Sequence, residues 1–196
     1  MSKQRFLYLT IVFILLIFTY IHYSKQNISN ISTTSPTYGV GSVTTSSSAN
    51  ASCKAIHINP ADPQAFLPDP KCTPGSLNDS VTQENLSSTI CESGFTTTIR
   101  PPASYTNKLK REQIISYGYT DTNTKDYEED HFISLELGGS PTDPRNLWPE
   151  PHASINEKDK VEDYLHKQVC DGNLSLADAQ KAISNNWYSV FTSAHL

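Results

Sequence analysis

An aspartate and a histidine stand side by side in this sequence, at the start of an apolar segment. Asp130 and His131 precede "FISLELGG", and Asn146 follows fifteen residues after His131 in a loop bounded by prolines. A histidine can accept a proton from water at physiological pH, because its ordinary pKa lies near neutrality. A carboxylate is a ligand for hard divalent cations. The pair is therefore a candidate for proton transfer beside a metal ion.

Short elements are predicted around this pair. "DHFISLELGG" alternates weakly between apolar and polar residues, which predicts two short strands or one strand that bends at Gly138 and Gly139. "GFTTTIRPP" predicts a short extended piece, because Thr and Ile favour strands and a double proline ends it. "VTQENLSSTIC" predicts a short helix with Thr82 as its N-cap, and "SYTNKLKREQIISYGY" predicts a helix from Thr106 to a stop at Gly118.

Two longer helices are predicted after the proline-rich loop. In "SINEKDKVEDYLHKQVCDG", Ser154 and Glu157 form a capping box and Gly172 supplies the C-terminal stop. Ser175 and Asp178 repeat the capping pattern at the start of "SLADAQKAISNNW". The predicted buried faces repeat at helical spacing: Val161, Leu165 and Val169 in the first helix, and Leu176, Ala179 and Ile183 in the second.

The chain resembles the HNH, or His-Me finger, endonuclease family, and within it a bacterial exported subgroup. The features that resemble this family are the Asp130–His131 pair, the glycine turn after it, Asn146 at its spacing and the capped helix that follows. The resemblance is carried by "DHFISLELGG", "PRNLWPEP" and "NEKDK", between residues 127 and 170, and the step from His131 to Asn146 matches the family's spacing. It implies an α+β fold with a ββα-metal core, two strands and a helix around one ion, flanked by additional helices. It also implies a metal-dependent endonuclease that hydrolyses phosphodiester bonds of nucleic acid.

The resemblance assigns a role to each residue of the motif. His131 is expected to be the general base and Asp130 the metal ligand from the strand side. Asn146 is expected to hold the loop and to orient His131 through an amide hydrogen bond. Many relatives carry a histidine on the helix, where this chain offers Asn156 first and Asp159 one turn later. His152 could serve only if the loop folds back.

The predicted ligands favour particular ions. Carboxylate and amide oxygens suit Mg²⁺ best, with Mn²⁺ or Zn²⁺ as alternatives.

Nucleic acid, DNA rather than RNA, is the expected partner, and no protein partner is inferable. Arg145 and Lys108, with Arg100, are candidates for phosphate contact, although plain surface charge is an alternative for each. The formal net charge of −5 is unusual for a nucleic-acid binder, and Lys108, Lys110 and Arg111 form the only local basic cluster. A catalytically inactive HNH-fold module that binds or builds structures at the cell surface is therefore the alternative function. A metallopeptidase is disfavoured because no His-Glu-x-x-His motif occurs.

The N-terminal residues predict attachment to a membrane. Lys3 and Arg5 precede an apolar run that reaches Tyr23, about the 20 residues that cross a bilayer as a helix. We expect residues 1–23 to be an uncleaved signal anchor, with a cleaved signal peptide as the alternative. Because the basic residues come first, the rest of the chain is expected outside the cytoplasm, anchored to the membrane or, after cleavage, secreted.

The remainder of the chain divides into a tether and one domain. Residues 24–52 are rich in Ser, Thr and Asn and are expected to form a disordered tether, since they offer little apolar surface. Residues 53–196 are expected to form one HNH-nuclease-like domain. The domain contains four cysteines, Cys53, Cys72, Cys91 and Cys170. An even number of cysteines in an exported chain predicts disulfide bonds, and three pairings are possible.

Overall fold

The computed structural model describes residues 53–151 and 157–196. These residues belong to one compact unit of the α+β class, as predicted. The predicted anchor (1–23) and tether (24–52) lie outside the described residues. Of the helices in the described part of the chain, none is long and apolar enough to cross a membrane.

The described residues form two small antiparallel sheets and four α-helices. The strands are β1 (Ile56–His57), β2 (Phe66–Leu67), β3 (Glu128–His131) and β4 (Leu147–Glu150). The helices are α1 (Phe95–Ile99), α2 (Ala103–Ser116), α3 (Glu157–Cys170) and α4 (Leu176–Ala194). Short 3₁₀ turns lie at Gln83–Ser88, Thr124–Asp126, Leu135–Leu137 and Pro144–Asn146.

The second sheet brings the residues of the motif together. β3 pairs with β4, so that Asp130 lies opposite Trp148 and His131 lies opposite Leu147. Helix α2 holds both strands, because Gln113 donates from Nε2 to the carbonyl of Leu147 at 2.7 Å and Lys110 donates to the carbonyl of Tyr127, next to β3, at 2.8 Å. The order of β3, β4 and α3 is two antiparallel strands followed by a helix.

The core lies between α3, α4 and the sheets. The predicted helical stripes are confirmed, and each of their residues is buried: Val161, Leu165, Val169, Leu176, Ala179 and Ile183. Trp148, Trp187 and Phe132 belong to the same core. The indole of Trp187 also donates to the carbonyl of Phe66 at 2.8 Å, which joins α4 to the first sheet. Burial of this apolar surface is the main stabilising contribution.

Two helical segments begin at the residues that the sequence predicted. Ser175 accepts a hydrogen bond from the amide of Asp178 at 3.1 Å, which confirms the predicted N-cap of α4. Thr82 precedes the turn Gln83–Ser88, where the side chain of Asn85 accepts from the amide of Thr82 at 2.8 Å. Ser154, the predicted cap of α3, lies outside the described residues.

Two element predictions near the double proline are wrong. The segment predicted as extended forms α1, in which the amide of Arg100 bonds the carbonyl of Thr96 at 3.0 Å. Packing of Phe95 against the core outweighs the strand preference of the threonines that follow it. Helix α2 begins at Ala103 rather than Thr106, and Pro102, in an extended conformation with φ −66° and ψ 147°, is its N-cap.

The segment from Asp130 to Gly139 contains the end of one strand, β3, followed by a 3₁₀ turn, rather than two strands. The chain leaves β3 at His131 and turns into Leu135–Leu137, where Ser134 accepts from the amide of Glu136 at 3.2 Å. The backbone of Ile133 is bonded by the side chain of Asn146 instead of a neighbouring strand.

The predicted disulfides are present, and their pairing is now defined. Cys53 bonds Cys72 and Cys91 bonds Cys170, across 19 and 79 residues of sequence. Because the second bond closes the longer loop, it removes more conformational freedom from the unfolded chain. It also ties the end of α3 to the segment after Gln83–Ser88.

Gly139 lies where the loop after β3 approaches itself most closely. A Cβ atom on Gly139 would lie 1.8 Å from the carbonyl oxygen of Ile133 and 2.8 Å from Nδ2 of Asn146.

We expect Gly139→Ala to lower the free energy of unfolding by about 3 kcal/mol or more, since the backbone of the loop must move. Gly172→Ala is the control: its φ is +76° but a Cβ there meets nothing within 4 Å. It should cost about 1 kcal/mol. Urea unfolding measures the free energy of unfolding of both variants. A loss of stability in Gly139→Ala no larger than that in Gly172→Ala would contradict the close approach at Gly139.

Candidate functional site

A cleft opens beside β3, between the strand and the first turns of α3. It collects residues from the strand, from the turn that follows it, from helix α3 and from the end of α1. Its lining consists of Arg100, Glu128, Glu129, Asp130, His131, Ser134, Leu135, Asp159 and Glu162. The predicted pair and Asp159 therefore lie in one place, which is also strongly acidic.

The ring of His131 is fixed by one backbone contact. Its Nε2 lies 3.1 Å from the carbonyl oxygen of Pro141. A carbonyl can only accept, so Nε2 carries the proton and Nδ1 of the neutral ring carries the lone pair. Burial lowers the pKa of His131, and the charges of Arg100 and Lys158 add to this effect, although Pro141 and Asp130 oppose it. His131 is therefore a neutral base near physiological pH.

Asn146 holds the loop that carries Pro141. Its Oδ1 accepts from the amide of Ile133 at 3.0 Å, and its Nδ2 donates to the carbonyls of Ile133 and Ser140 at 2.9 and 3.0 Å. The side chain is fully buried. The expected amide hydrogen bond from Asn146 to His131 is not formed, because these backbone groups use the amide. Asn146 acts on His131 only through the loop, which places the carbonyl of Pro141.

Both carboxylate oxygens of Asp130 are hydrogen-bonded inside the protein. Oδ1 lies 3.0 Å from the ammonium of Lys158, and Oδ2 accepts from the indole of Trp148 at 3.0 Å. The ammonium also donates to the carbonyl of His131 at 3.2 Å and to the carboxylate of Glu162. Lys158 is buried, with 2% of its side chain exposed. The ammonium of Lys158 is therefore a cation in direct contact with Asp130.

The charge of Lys158 is maintained by its neighbours. Burial opposes the ammonium, but the carboxylates of Asp130, Glu162 and Glu150 outweigh it and hold the pKa of Lys158 above its ordinary value. Burial raises the pKa of Glu162, and Lys158 opposes that rise. Within the described residues the ammonium has acceptors on Asp130, His131 and Glu162, and such pairing is the condition under which a buried charge is tolerated.

Those cleft residues that the structure describes do not fit a preformed site for a divalent ion. Their oxygen atoms are of the type that Mg²⁺ prefers, but Asp130 already contacts Lys158 and Trp148. Within 53–151 and 157–196, the one group that brings three His, Cys, Asp or Glu ligand atoms together is Cys91, His166 and Cys170, and its two sulfurs are joined in a disulfide. The predicted ligand Asn156 and the alternative His152 lie outside the described residues.

The two residues predicted to bind substrate, Arg145 and Lys108, are not among the residues that line the cleft. Arg145 forms an ion pair with Asp143 at 2.5 Å, and Lys108 lies 4.0 Å from Glu112 on α2. Both side chains are largely exposed, at 67% and 74%. Arg100, at the end of α1, is the arginine that lines the cleft.

Sequence reasoning missed Lys158, Glu162 and Trp148 as site residues. Lys158 and Glu162 are four positions apart on a polar helix, a pattern that normally indicates an exposed ion pair. Lysine is almost never fully buried unless it is paired. The available signal was the helix start itself, since "NEKDK" places Lys158 in the first turn that the resemblance assigns to the ion.

Comparisons of the chain with protein-family models, curated proteins and solved structures gave no significant match. The site is therefore interpreted from its own residues.

Glu129 is a buried carboxyl at the edge of the cleft. Neither of its side-chain oxygens has a hydrogen-bond partner in the described residues. Burial raises the pKa of Glu129 to about 8, although Lys110 opposes the rise. The folded protein therefore holds a proton on Glu129 at neutral pH, where an unfolded chain does not.

This proton makes stability depend on pH. Because the folded state binds it more tightly, stability falls as pH rises from about 4.5, the ordinary value, to about 8. We expect Glu129→Gln to remove this component. Between about pH 5 and about pH 8, the free energy of unfolding of the variant should then fall by on the order of 2 kcal/mol less than that of the unmodified chain. Urea unfolding at both pH values measures the difference, with the exposed Glu92→Gln as the control that should leave the pH dependence unchanged. Identical pH dependence in Glu129→Gln and the unmodified chain would refute the assignment.

Proposed function

We propose that this chain is an endonuclease of the HNH type that hydrolyses phosphodiester bonds of nucleic acid, DNA in preference to RNA. The observation that carries the proposal is the placement of His131. It lies at the end of the strand pair, in an open cleft, with Nε2 bonded to the carbonyl of Pro141 and Nδ1 left as the proton acceptor. A neutral imidazole with a fixed tautomer is what a general base for water requires.

The reaction needs one proton transfer that this histidine can make. A water molecule at Nδ1 gives its proton to His131 while its oxygen attacks phosphorus. The bond from phosphorus to the leaving oxygen then breaks, and that oxygen takes a proton from solvent. Arg100 lines the same cleft and supplies a positive charge for the phosphoryl oxygens.

The negative charge of the cleft is smaller than the number of its carboxyl groups suggests. Lys158 neutralises part of the charge of Asp130 and Glu162 through direct contacts. Glu129 is largely protonated at neutral pH, since burial raises its pKa to about 8. These effects reduce the repulsion between the cleft and a phosphate group.

A catalytically inactive module is the second candidate, and the charge of the cleft favours it. Among the described residues, Glu128 and Asp159 add two further carboxylates to the lining of the cleft beside Arg100. Contacts with phosphates supply much of the affinity of nucleic-acid binders, so an acidic cleft binds DNA weakly. A module would keep the fold and the Asp130 contacts but would not turn over substrate.

We also propose that the domain works outside the cytoplasm. Its two disulfides are typical of an oxidising compartment. Residues 1–23 then serve as the membrane anchor, or as a cleaved signal peptide that leaves the protein secreted.

Loss of His131 separates the two candidates. We expect His131→Ala to slow nicking of supercoiled plasmid by about 10²–10⁴-fold, because the base that takes the water's proton is removed. His57→Ala is the matched control: His57 is exposed on β1, outside the cleft, and its loss should leave the rate unchanged. Near-ultraviolet circular dichroism checks that both variants keep the native packing.

Two results would contradict the proposal. An unchanged nicking rate in His131→Ala would remove His131 as the base. Absence of nicking by the unmodified full-length chain, with Mg²⁺, with Mn²⁺ and with EDTA, would favour the inactive module.

A further inference from the structure

We propose that the ammonium of Lys158 takes the place at Asp130 that the HNH resemblance assigns to a divalent ion, so that no divalent ion binds there and hydrolysis in this cleft does not require one. The part on hydrolysis rests on the proposed function. The part on ion binding does not.

The ammonium of Lys158 makes several contacts that an ion would have to replace. It donates to Asp130 at 3.0 Å, to the carbonyl of His131 at 3.2 Å and to Glu162. An ion that entered between Asp130 and Glu162 would have to displace it. Lys158 is 2% exposed, so the displaced ammonium would lose its partners inside the protein. Leaving a buried charge uncompensated is strongly unfavourable.

The other carboxylate oxygen of Asp130 is also occupied by a donor from the protein. Oδ2 accepts from the indole of Trp148 at 3.0 Å, and Trp148 is buried at 1% exposure. An ion bound to both oxygens would therefore have to share Oδ2 with the indole, which is buried and has no solvent molecule as an alternative acceptor. Asp130 is held by two donors that arrive from β4 and from α3.

Lys158 connects a strand to a helix. The ββα-metal arrangement uses one ion to connect a strand to a helix. Here Lys158 extends from the first turn of α3 to Asp130 and to the backbone of His131 on β3. The lysine therefore makes the same connection with a cation that is covalently part of the chain.

Lys158 is a positioning residue, since its burial prevents contact with a phosphate. It holds the backbone of His131 and offsets the negative charge of Asp130. Arg100 is the exposed cation of the cleft and the group available to the substrate.

The two tryptophans allow a direct test of ion binding that needs no substrate. The chain has only Trp148 and Trp187, and their indoles donate to Asp130 and to the carbonyl of Phe66. In the full-length chain labelled with ¹⁵N, we expect millimolar Mn²⁺ to leave the indole resonance of Trp148 as sharp as that of Trp187. Selective broadening of the Trp148 resonance would overturn the inference, because paramagnetic Mn²⁺ would then lie at Asp130.

Removing the ammonium should create the missing ion site. Lys158→Met keeps the length of the side chain but leaves Asp130 and Glu162 without their cation. We expect Mn²⁺ to broaden the Trp148 resonance in this variant and to raise its melting temperature. Lys160→Met, which removes an exposed lysine from the same helix, should respond like the unmodified chain. If Lys158→Met does not fold, the measurement on the unmodified chain still decides the question.

Nicking assays test the part on hydrolysis. We expect EDTA to change the nicking rate of the unmodified chain by no more than about threefold. The nicking rate of Lys158→Met should fall at least about tenfold in EDTA and should recover with Mn²⁺. Nicking by the unmodified chain that stops in EDTA and returns with Mg²⁺ would overturn the inference. No nicking under any condition would refute the proposed function instead, while the Trp148 resonance would still report on ion binding.

Discussion

The buried contact between Lys158 and Asp130 is the interaction on which the site depends. It joins α3 to β3 across 28 residues of sequence, and the same ammonium holds the carbonyl of His131. Removing one partner of a buried ion pair typically destabilises a protein by about 3–5 kcal/mol, because the other charge is left without compensation. The pair therefore fixes the distance between helix and strand, and with it the width of the cleft.

A second constraint fixes the direction of His131. Asn146 bonds the backbone of Ile133 and Ser140, and Gly139 leaves no room for a side chain between them. The loop consequently presents the carbonyl of Pro141 to Nε2 of the imidazole. The Nε2 edge of the ring is thus held by the loop, while Lys158 holds the backbone of the same residue from the helix side.

The sequence predicted those features that arise from local periodicity and chemistry. The buried stripes of α3 and α4, the cap at Ser175 and the presence of disulfides follow from spacing and residue type. The burial of Lys158 could not be predicted, because a Lys–Glu pair four positions apart is normally exposed on a helix. Only the fold shows that Asp130 lies opposite its ammonium. Helix α1 was missed for a related reason, since packing of Phe95 decides its conformation.

A crystal structure of the chain grown in millimolar Mn²⁺ tests the central claim most directly. Anomalous scattering locates manganese independently of any assumption about the ligands. The account predicts no anomalous peak at Asp130 and an ammonium of Lys158 about 3 Å from Oδ1, the length of a hydrogen bond. A manganese peak bonded to Asp130, with Lys158 displaced from the carboxylate, would contradict it.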